Sequence, residues 1–241
     1  MHIGERIESF TELNSTNACA LKNSEKLPSG TVVWSLKQNN GYGRFKRNWF
    51  SPQGGLWFSI IFKPWKIKDF SFYLRLSSVA IVETLAQFNA KLMIKWPNDI
   101  IHNGKKVGGI LTESLSDGRK INVIVVGIGI NVNNDIPEEL HENALSLKDI
   151  INKKISLSYL LDKILKKMDQ LYSQYSKPDN HRYLTRKWKK YLANKVGDEI
   201  SIKLPSDEIL SGRVSDISPS YLTILTESKE LKKIYAGEFN G

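Results

Sequence analysis

Residues 92–131 read LMIKWPNDIIHNGKKVGGILTESLSDGRKINVIVVGIGIN. Leu92 to Trp96 is a strand, stopped by Pro97-Asn98-Asp99. Asn103-Gly104 then marks a hairpin between Asp99–His102 and Lys105–Ser114, because a two-residue type I′ turn needs positive φ at both positions. A second turn at Asp117-Gly118 leads into Ile121 to Ile130, apolar enough for a central strand. Strands that meet through hairpins run antiparallel, and the helical patterns stand apart from them in sequence. The stretch therefore predicts an α+β fold with a mixed sheet, not a doubly wound parallel one.

Upstream, Thr31 to Lys37 (TVVWSLK) is β-branched and aromatic, hence a strand, and Gly55 to Phe62 (GLWFSIIF) is another, buried one. Between them Gln38 to Gln53 is a long surface loop, a length usually tied to function. Ser15 or Thr16 can cap a short helix from Ala18 to about Lys22. From Phe70 to Phe88 apolar residues crowd nearly every face, as in a helix packed on a sheet. Downstream, Leu157, Leu160, Leu161, Ile164, Leu165, Met168, Leu171, Tyr172 and Tyr175 share one helix face, and a second helix spans about Asn180 to Tyr191. After Ala193-Asn194 short strands alternate with turns (Glu199–Leu204, Ile209–Ser215, Tyr221–Thr226, Leu231–Tyr235), which predicts a small all-β barrel. The expected division is 1–192 and 193–241.

The chain has 241 residues, 41% hydrophobic and 25% charged, so a sizeable core is available. No apolar run is long enough to span a bilayer, and the N-terminus lacks a signal-peptide core. A single cysteine, Cys19, excludes an internal disulfide and fits a reducing, cytoplasmic setting. His2, His102, His141 and His181 show no metal-ligand spacing. Net charge is +10, but the lysine pairs are scattered and no recognition motif accompanies them. They read first as solvated faces, and no nucleic-acid partner is expected.

Chemistry concentrates in four segments. In Gln38–Trp49 (QNNGYGRFKRNW), Gly41 and Gly43 let backbone N–H groups turn toward an anion. Arg44 and Arg47 offer planar forks to phosphate oxygens, Lys46 adds a charge, and Trp49 gives a flat face to a purine or apolar ligand. The bland alternative is a basic surface hairpin with a core tryptophan; the spacing matches neither a Walker A loop nor a dinucleotide fingerprint. Lys95 ends an apolar strand where a site would open, or snorkels off it. Asp99 can position a magnesium ion or pair with a lysine. Gly108-Gly109 and Gly127-Ile128-Gly129-Ile130-Asn131 place glycines inside strands, where a ligand or backbone must come close.

Taken in order, Ser15-Thr16-Asn17, QNNGYGRFKRNWFSP, GGLWFSI, KWPNDI, KKVGGILTE, GIGINVN and the ending IYAGEF resemble the biotin–protein ligase family over essentially the whole chain. The resemblance implies a mixed-sheet catalytic domain followed by an SH3-like C-terminal domain. It implies ATP-dependent activation of biotin to biotinyl-5′-AMP, with magnesium, and transfer to a lysine of a biotin carboxyl carrier protein or domain. Ser15, Thr16, Asn17 and Gln38 match residues around biotin's ureido ring, and Gly41, Tyr42, Gly43 and Arg44 match the biotin and adenylate loop. Lys95 matches the lysine at the biotin carboxylate and α-phosphate, and with Arg44 is the expected catalytic pair. Gly108 and Gly109 match the strand against which biotin lies. Arg44, Arg47, Trp49, Lys106 and Asn131 fall on the ATP side. One departure is Tyr42, where the family often has Arg or Lys.

The competing expectations are a lipoate–protein ligase, a transcriptional regulator and a nucleic-acid-binding barrel protein. With Ser15 so near the start, an N-terminal DNA-binding domain has no room, so the short form is expected. A homodimer is open to it.

Overall fold

In the computed structural model, residues 2–64, 69–117, 120–235 and 238–240 are described. Gly118 of the expected Asp117-Gly118 turn and Ala236-Gly237 of IYAGEF lie outside them. In chain order the elements are β1 (Ile7–Phe10), α1 (Thr16–Asn23), β2 (Val32–Ser35), β3 (Leu56–Phe62), α2 (Phe70–Ala86), β4 (Met93–Lys95), β5 (Asp99–His102), β6 (Lys105–Asp117) and β7 (Lys120–Ile130). There follow α3 (Leu147–Ile151), α4 (Leu157–Tyr175), α5 (His181–Tyr191), β8 (Glu199–Lys203), β9 (Ile209–Ile217), β10 (Leu222–Leu225), β11 (Leu231–Ile234) and β12 (Glu238–Asn240).

The first seven strands form one sheet in the order β1-β2-β3-β7-β6-β5-β4. Only β1–β2 is parallel; the other neighbours are antiparallel, so the sheet is mixed as expected. The Asn103-Gly104 turn has φ of 47° and 81°, the positive values a type I′ turn requires. Of the elements, β1, α3 and β12 go beyond what periodicity picked out.

Strand β3 is buried at every residue because side chains pack on both of its faces. Phe58, Ile60 and Phe62 join Ile124, Val126 and Ile128 in the larger core, with Leu76, Val79 and Ala80 of α2 and Leu161, Ile164 and Met168 of α4. On the other face, Ile61, Val33, Val123 and Val125 pack with Ala20 of α1. That helix is only eight residues long and starts at Ser15, whose Oγ accepts from the Ala18 N–H at 3.3 Å. It therefore covers only part of that face.

Strands β8–β12 form a separate five-stranded antiparallel sheet. It is tied to β4 by Trp96, whose buried Nε1–H donates to the Ser218 carbonyl at 3.0 Å, and by the Ala193 N–H to the Ile94 carbonyl at 2.8 Å. Among the described residues no helix is long and apolar enough to cross a membrane.

Candidate active site

Along β7, Val123 and Val125 face α1, and Gly127 and Gly129 continue the same face one pleat at a time. With no side chains of its own there, the strand admits others. A Cβ on Gly127 would stand 2.2 Å from Asn17 Oδ1, and one on Gly129 would stand 2.7 Å from Trp49 Nε1. Gly109 of β6, paired with Gly129, is likewise covered by the Trp49 ring. The result is a cleft of about 420 Å³, within the range of roughly 300–1,000 Å³ usual for small-molecule sites.

One end is neutral and tightly hydrogen-bonded. Ser15, Thr16 and Asn17 are buried at the start of α1. The Thr16 N–H and hydroxyl donate to Gln38 Oε1 at 2.7 and 3.1 Å, and Gln38 Nε2 donates to Ser51 Oγ at 2.9 Å. Ser59, the lone polar residue of β3, donates to Asn17 Oδ1 at 2.6 Å. A ligand with an amide-like ring meets donors and acceptors already fixed in place, which lowers the ordering cost of binding.

The other end is cationic. Arg44, Arg47, Lys95 and Lys106 all line the cleft, against Asp99 as the one acidic lining residue among those described. Arg44 Nη1 donates to Asn98 Oδ1 at 3.3 Å, and Asn98 is itself locked to Ile110 through Nδ2 at 2.9 Å. Lys106 Nζ pairs with Asp99 Oδ1 at 2.8 Å and stands 4.9 Å from the Trp49 ring centre. Asp99 thus lies within ion-pair distance of a lysine, one of its two expected partners. A single carboxylate suits a divalent ion carried mainly by phosphate oxygens better than a protein-built cage. Trp49 Nε1 is buried with no protein partner, a polar atom that a ligand can satisfy.

Asn131 is buried at the end of β7, its N–H on the Val107 carbonyl (2.8 Å) and its Oδ1 accepting from Asn134 Nδ2 (3.2 Å). The cleft thus gathers Ser15, Thr16, Asn17, Gln38, Tyr42, Gly43, Arg44, Arg47, Trp49, Lys95, Asp99, Lys106, Gly109 and Asn131. Gly41 and Gly108 lie outside the lining. Gly41 packs under the loop against Ser51 Oγ, and Gly108, one pleat from Gly109, faces the Gly129 carbonyl. Sequence reasoning missed the wall made by Ile136, Pro137, Leu140 and Ala144. Its only signal was isolated apolar residues in the polar run NNDIPEELHENA.

Residues 8–131 match the model of the biotin/lipoate A/B protein ligase family. The bifunctional ligase/repressor BirA of Bacillus subtilis (strain 168) is 32% identical over 246 residues, covering 98% of this chain and 74% of that protein. A biotin–[acetyl-CoA-carboxylase] ligase of Paracoccus denitrificans is 35% identical over 128 residues, 49% of this chain and 51% of its own length. Among solved structures, the biotin protein ligase from Aquifex aeolicus in complex with biotin and ATP superposes with a TM-score of 0.84 at 28% identity, covering 98% of each chain.

Proposed function

From the premise that the chain belongs to the biotin/lipoate A/B protein ligase family, we propose that it is a biotin–protein ligase. It activates biotin with ATP and transfers the biotinyl group to a lysine of a biotin carboxyl carrier protein or domain. The observation that carries this reading is the two-ended cleft. A neutral, pre-ordered end (Thr16, Asn17, Gln38) suits a ureido ring, and four cations meet at the other end, where a carboxylate and a triphosphate must come together.

A carboxylate is a poor acyl donor because its leaving group would be oxide. In the first step the biotin carboxylate oxygen bonds to the α-phosphorus of ATP and pyrophosphate leaves. Both reactants are anions, so fixed cations must hold them together. Arg44 and Lys95 are assigned to the reacting groups, with Arg47 and Lys106 on the phosphates. One such preorganised donor is worth roughly 3–4 kcal/mol in the transition state. Trp49, Ile136 and Leu140 supply an apolar wall for the adenine, with Asn131 beside it. Magnesium accompanies the phosphates when bound, with Asp99 the acid able to hold it. In the second step the carrier's amine, ordinarily near a pKa of about 10.4, must reach the acyl carbon as the free base. The C–N bond forms as AMP leaves.

The C-terminal sheet is assigned as an SH3-like domain beginning at residue 193, and the cytoplasm as the setting, in keeping with the unpaired Cys19. Biotin-dependent exchange of pyrophosphate into ATP tests the reading. The expected result is exchange with biotin and much less with lipoate. Exchange with lipoate alone, or none with either acid, overturns it.

A further inference from the structure

Glu113 stands on β6 just beyond the cleft lining and gathers three donors from two other segments. Its Oε2 accepts from Asn17 Nδ2 at 2.9 Å and from the Tyr42 hydroxyl at 2.8 Å, while Oε1 pairs with Lys46 Nζ at 3.1 Å. The first donor belongs to the floor of the neutral end. The other two belong to the loop that crosses the cleft.

A carboxylate can only accept, so Glu113 obliges Asn17 to turn its amide nitrogen toward it. The Asn17 oxygen then faces Ser59, whose Oγ–H is 2.6 Å away. Both ends of the amide are fixed, with one N–H and one lone pair left for a ligand. On the loop side, Phe45 and Lys46 both adopt positive φ, 56° and 57°, although neither is glycine. That kink returns Lys46 over the Tyr42 ring, with Nζ 3.9 Å from its centre, and onto Glu113. Burial, and then the hydrogen bond to Glu113, push the Tyr42 phenol above its ordinary pKa, so it stays a donor. The tyrosine therefore reaches the carboxylate as a neutral donor, and Lys46 supplies the charge.

We propose that Glu113 is a positioning residue that sets the Asn17 amide for the substrate ring and latches the Tyr42–Lys46 arm of the loop over the cleft, so that ring recognition and loop closure share one carboxylate. The ring's identity as biotin's rests on the functional reading above; the latch does not. Glu113→Gln removes the charge and keeps the side-chain volume.

Trypsin tests the latch in the ligand-free protein, since Arg44, Lys46 and Arg47 lie on the arm. The expected result is cleavage there faster by on the order of tenfold, the worth of one charge-assisted bond, with thermal stability close to wild type. Equal cleavage rates overturn the latch. In pyrophosphate exchange, Glu113→Gln and Tyr42→Phe should each raise KM for biotin more than KM for ATP, and the double variant should be less than additive. Without carrier, the Gln variant should release more AMP per ATP consumed than wild type. An unchanged biotin KM in an active variant overturns the proposal and leaves the ligase reading intact. Absence of exchange in the wild type overturns the ligase reading and the ring assignment with it, while the trypsin result still decides the latch.

Discussion

At Gly127 the absence of one methyl group decides what the strand can hold. The Asn17 side chain occupies the space a Cβ would fill, at 2.2 Å, and it is held there by Ser59 and Glu113. Gly127→Ala must displace an amide that cannot swing aside without losing both bonds. The expected result is a biotin KM raised at least tenfold, with a stability loss of about 1–3 kcal/mol, the usual cost of overpacking. A variant with wild-type biotin KM would show that Asn17 does not set the ring. The glycines of GIGIN marked a strand that a ligand or backbone must approach closely, and that was legible. Which side chains come close was not, because Asn17 and Trp49 come from segments 110 and 78 residues up the chain from Gly127, in the sense of sequence separation. The same pleat explains why Gly109 lines the cleft and Gly108 does not.

Helices α2, α4 and α5 meet at Glu83. Its Oε1 accepts from Lys187 Nζ and from the Tyr191 hydroxyl, each at 2.9 Å, and Oε2 lies 3.5 Å from Lys167 Nζ. Burial pushes this carboxyl up, but the Lys187 and Tyr191 hydrogen bonds, with the charges of Lys187 and Lys167, outweigh it and hold the pKa below the ordinary value. A group whose folded pKa is depressed stabilises the fold when ionised. Its contribution is full above the unfolded carboxylate pKa, about 4.3, and disappears as the pH falls through the lower folded value. Thermal melts from pH 6 down to pH 3 (about the span in which such a group titrates) should therefore show a shallower loss for Glu83→Gln than for wild type. Parallel curves would contradict the assignment. Elements with strong local signals were legible: α4 shows its apolar face, and the β5–β6 hairpin its Asn-Gly turn. Strand β1 was not, because IESF is short, mostly exposed at the sheet edge, and defined by a parallel partner two dozen residues away.

Over the whole molecule, the consecutive strands β4 to β7 pair antiparallel, β3 joins β7 antiparallel from far up the chain, and one parallel pair across α1 makes the sheet mixed. That crossover delivers the start of α1 and the loop after β2 to the same open face, which is why two distant motifs share one cleft. The small C-terminal sheet braces the strand that ends in Lys95, through Trp96 and Ala193. Neither tie has a sequence signature, since both end on backbone carbonyls. The motif residues were legible because chemistry restricts residue types, whereas the wall from Ile136 to Ala144 needs only apolar surface and left little trace. The net charge of +10 gave no guide to the cleft, which four of the 35 lysines and arginines line.

The most direct measurement is the mass of a biotin carboxyl carrier domain from the same organism after incubation with the protein, biotin, ATP and magnesium. The account predicts one added biotinyl group on a single lysine, dependent on ATP and lost with Arg44→Ala and Lys95→Ala. A carrier of unchanged mass beside folded wild-type protein would contradict it.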